Sequence, residues 1–582
     1  MSGEPLLVAA IDFGTTFSGY AFSFKHDYVR DPLKINASNW IAGTQTLISP
    51  KAPTTVLLDT KKQFHAFGYE AENKYSELVD EGKHKGWLYF SRFKMKLHNN
   101  PRLCRSMMIK DENDYEMPAL TIFTMAIKYL KEHLLKIIKD RVDVLDANKD
   151  IRWVLTVPAI WEEGAKQFMR EAAELAGIPG KQLLLALEPE AASIYCNKVP
   201  VEMKSSLKDK NASVGLRTGT QYMVLDLGGG TADITVHEVL KDGSLREIHK
   251  ATGGAWGGTK VDGTFYQFLV KLFGNDVLQT LKKKHLDDYL GLIRDFELKK
   301  RTIKPSLDTD SKITVRIPFH LNRIFKEQTG ESLADALPNT NFASSVTFQG
   351  DKMRVQSQIF KDFFSDAVQG ITGHVIDVLS SCPNFNITRV LLVGGFSESE
   401  MVLNALKEVL PDKRIIAPAD PGLAVLKGAV LYGHATKAIS SRVSQFTYGF
   451  EVFNPFIEGV HPECYKVIRP DGRVMCSNMF EKYVVAGQEV PVGYILERSF
   501  TPSDEDSEKG IGVYRSRSSN PTFITDRSCV ELGKIVIKRP NDGWQEDAQL
   551  HVSMEFGGTE FLVKIRDDNL DNTYTQAFSF LK

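Results

Sequence analysis

A chain of 582 residues exceeds what one hydrophobic core sustains, so several domains are expected. With 42% hydrophobic and 25% charged residues, its composition is that of a folded globular protein. A formal net charge of −1 removes any general electrostatic case for a nucleic-acid or anionic-membrane partner.

In chain order, Leu6 to Ala10 form an apolar strand, Ile11-Asp12-Phe13-Gly14-Thr15-Thr16 follow, and Tyr20 to Phe24 resume an extended pattern. Tyr28 to Asn73 reads as loops and short strands, such as Thr55 to Leu58, flanking a cleft, and Trp87 to His98 carries Phe93-Lys94-Met95-Lys96 on an amphipathic segment. Ala119 to Lys139 places Leu120, Phe123, Ile127, Leu130, Leu134 and Ile138 on one broad face, which predicts a core helix. Trp153 to Val157 is a strand closed by Pro158. Glu162 to Ala176 is helical and stops at Gly177. The apolar run Leu183 to Leu187 ends in Glu188-Pro189; proline suits a first helical turn, so Glu188 is expected at a helix N-terminus, at the cleft edge of a strand. Strand, helix and strand in succession are the local grammar of an α/β lobe. Val199 to Thr220 reads as a loop between lobes.

Val224 to Val236 repeats the N-terminal device: an apolar strand ends in Asp226, Gly228-Gly229-Gly230 turn the backbone, Thr231 follows, and alternation resumes from Ala232. The glycines open a second strand rather than a helix, unlike the common dinucleotide and Walker loops. Without Cβ atoms they let backbone N–H groups approach phosphate oxygens, and Thr231 adds a hydroxyl. Asp226 and Asp233 would repel phosphate, so they make sense if Mg²⁺, through its water shell, lies between. An ordinary tight hairpin is the other account of three glycines; the copy at Asp12 favours two related lobes offering phosphate hairpins to one ligand.

Beyond it, Ala251 to Gly254 and Gly257 to Asp262 form a glycine-rich bend expected near the phosphates, before a helix at Phe265 to Phe273. Glu297, Lys300 and Arg301 share one helix face, where ion pairing alone would account for them. Thr309 to Ile317 alternates like a strand, Asn322 to Ser345 shows no clear period, and Ile359 to Leu379 reads as one helix. Strand Val390 to Val393 precedes Gly394-Gly395, which would begin a helix ending near Leu410; Pro421 to His434 is a further helix. From Phe446 onward strands dominate, among them Tyr483 to Val485, Ile535 to Ile537 and Phe561 to Ile565. The six cysteines, Cys104, Cys196, Cys382, Cys464, Cys476 and Cys529, never form a Cys-x-x-Cys pair, which argues against zinc. No apolar run could span a bilayer and no leader precedes the first strand, so a reducing cytoplasm, or secondarily the nucleus, is the expected compartment.

Asp-Phe-Gly-Thr-Thr at 12–16, Asp-Leu-Gly-Gly-Gly-Thr at 226–231 and Val-Gly-Gly-Phe-Ser at 393–397 resemble the two phosphate motifs and the adenosine motif of the actin, sugar kinase and heat-shock ATPase superfamily. Within it, Thr156-Val157-Pro158-Ala159, Glu188-Pro189-Glu190-Ala191-Ala192 and Glu297 to Arg301 are similar to the 70 kDa heat-shock proteins. The resemblance is to their divergent branch, heat shock 70 kDa proteins 12A and 12B. It spans most of the chain, including Phe446-Thr447-Tyr448-Gly449, Phe523-Ile524-Thr525-Asp526 and the ending Phe578-Ser579-Phe580-Leu581.

The resemblance implies an α/β, two-lobed actin-like ATPase domain with a nucleotide cleft, followed by a small C-terminal β domain. Lobe I would span 1–198, lobe II 221–420, a helix returning to lobe I 421–436, and the β domain 446–582. It implies ATP or ADP with Mg²⁺. Asp12, Gly14, Thr15, Thr16, Gly228, Gly229, Gly230 and Thr231 would line the phosphates, Glu297, Lys300 and Arg301 would hold ribose and adenine, and Gly394 and Gly395 would approach the nucleoside. Glu188, Lys94, Asp226 and Thr231 would serve hydrolysis, with Lys96 the alternative to Lys94. Asp12, Asp226 and Asp233 would hold the metal through water.

Two departures stand out against that family. Gly422 occupies a position where an acidic residue is usual, and the connector Lys437 to Gln445 is polar where a leucine-rich, docking linker is usual. A helical lid and an acidic C-terminal tail are not expected. The leading expectation is a weak, atypical heat-shock ATPase whose β domain engages a polypeptide client or signalling partner, with exchange factors as further partners. The alternative is a nucleotide-gated scaffold that scarcely hydrolyses ATP. A small-molecule kinase lacks an acceptor motif, and the β domain does not suit an actin-like filament.

Overall fold

Strand Leu7–Asp12 is buried at every position, so both of its faces must be covered. In this computed structural model it pairs antiparallel with Phe17–Phe24, Asp12 opposite Gly19, and parallel with Ile151–Val157, which pairs parallel with Leu183–Leu187. The second sheet repeats this plan. Gln221–Leu227 pairs antiparallel with Ala232–Val239, Asp226 opposite Asp233, and parallel with Ile387–Val393, which pairs parallel with Arg414–Ile416. The two Asp–Gly devices therefore occupy equivalent corners of two sheets built alike. The structure describes residues 4–42, 47–142, 145–199, 216–469, 472–500, 508–538, 549–556, 558–560, 562–567, 572–576 and 580–581. Most of the expected inter-lobe loop (200–215), and Phe561, Phe578 and Ser579, lie outside them.

Each sheet has its own apolar core, and a third core joins them. Val8, Val154, Val224, Leu391 and Val393 meet there under helices Glu188–Lys198 and Pro421–His434. The two helices touch at backbone distance: a Cβ on Gly428 would fall inside the Ala191 carbonyl, and one on Gly433 inside the Val8 side chain.

Three expectations are corrected in detail. The helix expected over Ile359 to Leu379 is two helices, Ser357–Asp362 and Ser365–Ser381. The break puts Phe363 against Phe265 and Phe296, and Phe364 against Phe396. Asn322 to Ser345 is not irregular: helix Phe319–Thr329 buries Leu321, Ile324 and Phe325 and ends at Gly330, in the left-handed region at φ 82°. Gly394-Gly395 opens only a short 3₁₀ turn, Gly395–Glu398, before helix Glu400–Val409.

The C-terminal region is a sandwich of two antiparallel sheets. One has the order Lys466–Ile468, Val474–Val484, Thr447–Pro455, Glu508–Ser516, Cys529–Lys538; the other Tyr494–Phe500, Leu550–Phe556, Leu562–Asp567, Asn572–Gln576. Phe446, Phe450, Tyr483, Val513, Val552 and Met554 fill the space between. Among the described residues after Phe446 there is no α-helix.

The polar connector is neither loose nor peripheral. Ile439–Val443 is a strand, parallel to Leu245–Gly254 on one side and antiparallel to Glu489–Pro491 on the other, so one seven-stranded sheet runs from the ATPase sheet into the β region. Its buried Arg442 donates two bonds of 2.6 Å to Glu190, on helix Glu188–Lys198. The sandwich is also fastened to the helix Glu163–Leu175: Arg515 reaches Glu162 at 2.8 Å and Glu163 at 3.2 Å, and Arg170 pairs with Glu560. Thr559 Oγ1 donates to the Leu185 carbonyl at 2.7 Å, while Leu581 is buried in the first lobe's core.

Candidate functional site

Asp12 ends its strand only 5% exposed. Its Oδ1 accepts from Thr156 Oγ1 at 2.8 Å and its Oδ2 from Lys51 Nζ at 2.6 Å. The turn after it is braced by Thr54, whose Oγ1 donates to the Gly14 carbonyl at 2.8 Å and whose N–H donates to the Thr16 carbonyl at 2.9 Å.

The second hairpin closes through Gly228 N–H to the Thr231 carbonyl at 2.9 Å. Behind it the glycine-rich bend donates Gly257, Gly258 and Thr259 N–H groups to the Gly230, Gly228 and Gly229 carbonyls at 3.3, 3.1 and 2.8 Å. The bend, expected near the phosphates, thus spends these amides holding the hairpin; a Cβ on Gly257 would lie 2.6 Å from Gly229. The hairpins face each other closely. A Cβ on Gly229 would come within 2.5 Å of Thr16 Oγ1, and one on Gly230 within 2.6 Å of Thr15 Oγ1.

Glu188 opens its helix and accepts from Lys94 Nζ at 2.7 Å. Lys94 is buried and lies 5.2 Å from the Trp161 ring centroid, whereas Lys96 is exposed. Of the two lysines, only Lys94 reaches this cluster. Asp233 Oδ1 accepts from the Ile160 N–H at 3.1 Å, and its Oδ2 is buried without a partner. Asp226 lies against Gly394: a Cβ there would be 2.5 Å from Asp226 Oδ1, and Gly394 has φ 83°. Glycine is required at 394 by this carboxylate and by its backbone angle.

Asp12, Asp226, Asp233 and Glu188 are four carboxylates in one buried cleft. Burial, and then its neighbours Glu188, Asp233 and Asp12, hold the Asp226 carboxyl far above the usual range. Burial also raises Asp233, and it lifts Glu188 to about 7 against the pull of Lys94. Asp12 differs: burial raises it, but Lys51, Lys94 and Thr156 together bring it below the ordinary value.

This arrangement fits a divalent cation. Two ammonium groups face four carboxylates, and the Asp233 Oδ2 is an orphaned acceptor. Among the described residues no three His, Cys, Asp or Glu side chains converge to ligate an ion directly.

Glu297, Lys300 and Arg301 do share a face, and Lys300 Nζ lies 3.5 Å from the Gly258 carbonyl of the bend. Lys300 Nζ lies 2.7 Å from Asp262 and 2.5 Å from Glu297, while Arg301 pairs with Glu297 at 3.1 Å. Asp262 also receives Arg92 from the first lobe at 2.8 Å, so this cluster bridges the cleft.

A profile of the Hsp70 protein family matches residues 90–448. The chain belongs to the Hsp70 family. It is 35% identical to Heat shock 70 kDa protein 12A of Mus musculus, over 99% of this chain and 92% of that one, and 34% identical to Heat shock 70 kDa protein 12B of Homo sapiens, over 99% and 91%. A Chaperone protein HscA homolog of Acinetobacter baumannii (strain AYE) is 28% identical over 48% of this chain and 36% of its own. The paired sheets are therefore those of the actin-like Hsp70 ATPase domain, followed here by a β domain. Among the described residues no helix is long and apolar enough to cross a membrane.

Lys51, Thr54, Asp262 and Arg442 escaped the sequence reading of this Hsp70 chain. Lys51 lies in a polar loop with no period, and only the pairing of Ala52 and Pro53 with Ser18 and Phe17 carries it to Asp12. For Arg442 no local signal existed: Ile439 to Val443 reads Ile-Ser-Ser-Arg-Val, without period-2 alternation, and only its pairing in the sheet makes it a strand.

Proposed function

We propose that this Hsp70-family chain binds Mg-ATP between its two glycine hairpins, hydrolyses it weakly, and relays nucleotide state to a polypeptide or protein partner held by the β domain. The observation that carries this reading is the cluster where the hairpins meet, with Asp12, Asp226, Asp233 and Lys94 buried and Glu188 and Lys51 partly so.

Bound Mg²⁺ would neutralise developing phosphate charge. Asp12, Asp226 and Asp233 would hold it through water. Gly14, Thr15 and Thr16 on one side, with Gly228, Gly229, Gly230 and Thr231 on the other, would present N–H and hydroxyl donors to phosphate oxygens. Glu188, lifted to about 7, changes charge near neutrality, and in its ionised form would accept a proton from water. Lys94, at 2.7 Å, fixes that carboxylate and would face the phosphates. Glu297, Lys300 and Arg301 would hold the ribose and adenine, with Gly394 and Gly395 alongside. We assign 1–198 to lobe I, 221–420 to lobe II, 421–436 to the returning helix and 446–582 to the β domain, and place the protein in the cytoplasm, where exchange factors would act on it.

Single-turnover hydrolysis of Mg-ATP by the full-length protein tests this, with binding measured separately and Asp226→Asn as control. Cleavage by wild type alone is the expected result. Tight binding without cleavage would transfer the argument to a nucleotide-gated scaffold, a reading supported by the Arg515, Arg170 and Thr559 contacts that fasten the sandwich to the first sheet's elements. No binding would refute both.

A further inference from the structure

Lys51 has no role in the scheme above, yet its ammonium is one of the two that reach the cluster. Its side chain is 19% exposed and its Nζ lies 2.6 Å from Asp12 Oδ2. The backbone that follows it is pinned to the first hairpin: Ala52 and Pro53 pair with Ser18 and Phe17, and Thr54 bonds to the Gly14 and Thr16 carbonyls. Ser49 Oγ donates to the Lys51 carbonyl at 2.7 Å. Gly19 leaves room for the stem, since a Cβ there would lie 3.0 Å from Lys51 Cγ. The lysine is therefore held at the hairpin by its surroundings rather than swept in by a flexible loop.

We propose that Lys51 is a built-in countercharge of the phosphate site, which lets the cleft accept a nucleoside diphosphate without a divalent cation. This rests on the nucleotide reading of the cleft. A polyphosphate entering metal-free meets Asp12, Asp226, Asp233 and Glu188; Lys94 is hydrogen-bonded to Glu188 and acts on Asp12 only through space, so Lys51 is the cation in direct contact with Asp12. Screening acts strongly in a buried cleft, where the effective dielectric is far below that of water. With Mg²⁺ present the metal supplies most of the neutralisation, and the lysine matters less. A packing role alone would weaken both forms of binding equally.

The test is calorimetric titration of the full-length protein with ADP, in EDTA and in excess Mg²⁺, for wild type, Lys51→Met, Lys51→Gln and Lys51→Arg. Wild type is expected to bind ADP in both media. The two neutral variants should lose at least about tenfold more affinity in EDTA than in Mg²⁺, about 1.4 kcal/mol, and Lys51→Arg should recover most of it. Equal losses in the two media, or none, would overturn the role of Lys51. So would wild type that binds ADP only with Mg²⁺, a result that needs no variant to fold. Wild type that binds ADP in neither medium would instead refute the nucleotide reading itself.

Discussion

Arg442→Met should unfasten the connector without unfolding the ATPase sheets. The guanidinium makes two bonds of 2.6 Å to Glu190, with side-chain exposures of 10% and 5%, so the pair is screened by little water. Removing the arginine leaves the Glu190 carboxylate buried beside Glu247, and breaking a buried pair from one side costs about 3–5 kcal/mol. Native-state hydrogen exchange reads this at the amides of Ile439–Val443, because a chain of several domains does not unfold in one step. At about 1.4 kcal/mol per tenfold, their protection should fall by roughly 10²- to 4 × 10³-fold. Arg442→Met with Glu190→Leu should recover most of it, since an apolar pair of similar volume replaces a buried ion pair at little cost. Glu190 stands two residues beyond Glu188 on the same helix, so the single variant should also weaken nucleotide binding and the double variant should not. A single-variant loss below about tenfold, or a double variant as unprotected as the single, would refute the reasoning.

Two glycines in helices should respond with opposite signs. Gly428→Ala drives a methyl into the Ala191 carbonyl and should cost about 1–3 kcal/mol, read as lost hydrogen-exchange protection in its own helix, while Gly263→Ala, whose Cβ meets nothing within 4 Å, should raise the protection of its helix by up to about 1 kcal/mol. Burial, reinforced by Glu190, lifts the Glu247 carboxyl to about 8 from 4.5. The folded form thus holds a proton that the unfolded chain has released, so this contribution is intact below pH 4.5 and is lost as pH rises through about 8, at no more than about 1.4 kcal/mol per pH unit. Glu247→Gln should flatten the fall in thermal midpoint between pH 5 and pH 9; an unchanged slope would show that other groups govern it.

Most elements were legible because their signals are local. Helix Ala119–Lys139 carries a periodic apolar face, and the strands before Asp12, Asp226 and Glu188 are continuous apolar runs; tertiary packing overrode neither signal. Helix Phe319–Thr329 was hidden because Leu321, Ile324 and Phe325 sit among seven polar neighbours, too few to set a period over a long window. The break at Phe363 and Phe364 could not be read, since both phenylalanines continue the apolar pattern and only the aromatic cluster they meet bends the chain there. The connector's place in the sheet was hidden for a related reason: its polarity gives no strand signal, yet Arg442 finds a buried carboxylate in Glu190.

By itself the sequence determined the two Asp–Gly hairpins and their equivalence, because a turn that needs glycine and a strand buried on both faces are properties of a dozen consecutive residues. Which charges meet was decided only by the tertiary structure. Lys51 reaches Asp12, Arg442 reaches Glu190, and Gly394 makes way for Asp226 across separations that no local pattern encodes. In a buried cleft an ångström of placement sets whether a carboxylate is paired, raised or orphaned, and that placement is a result of packing two sheets and a sandwich together.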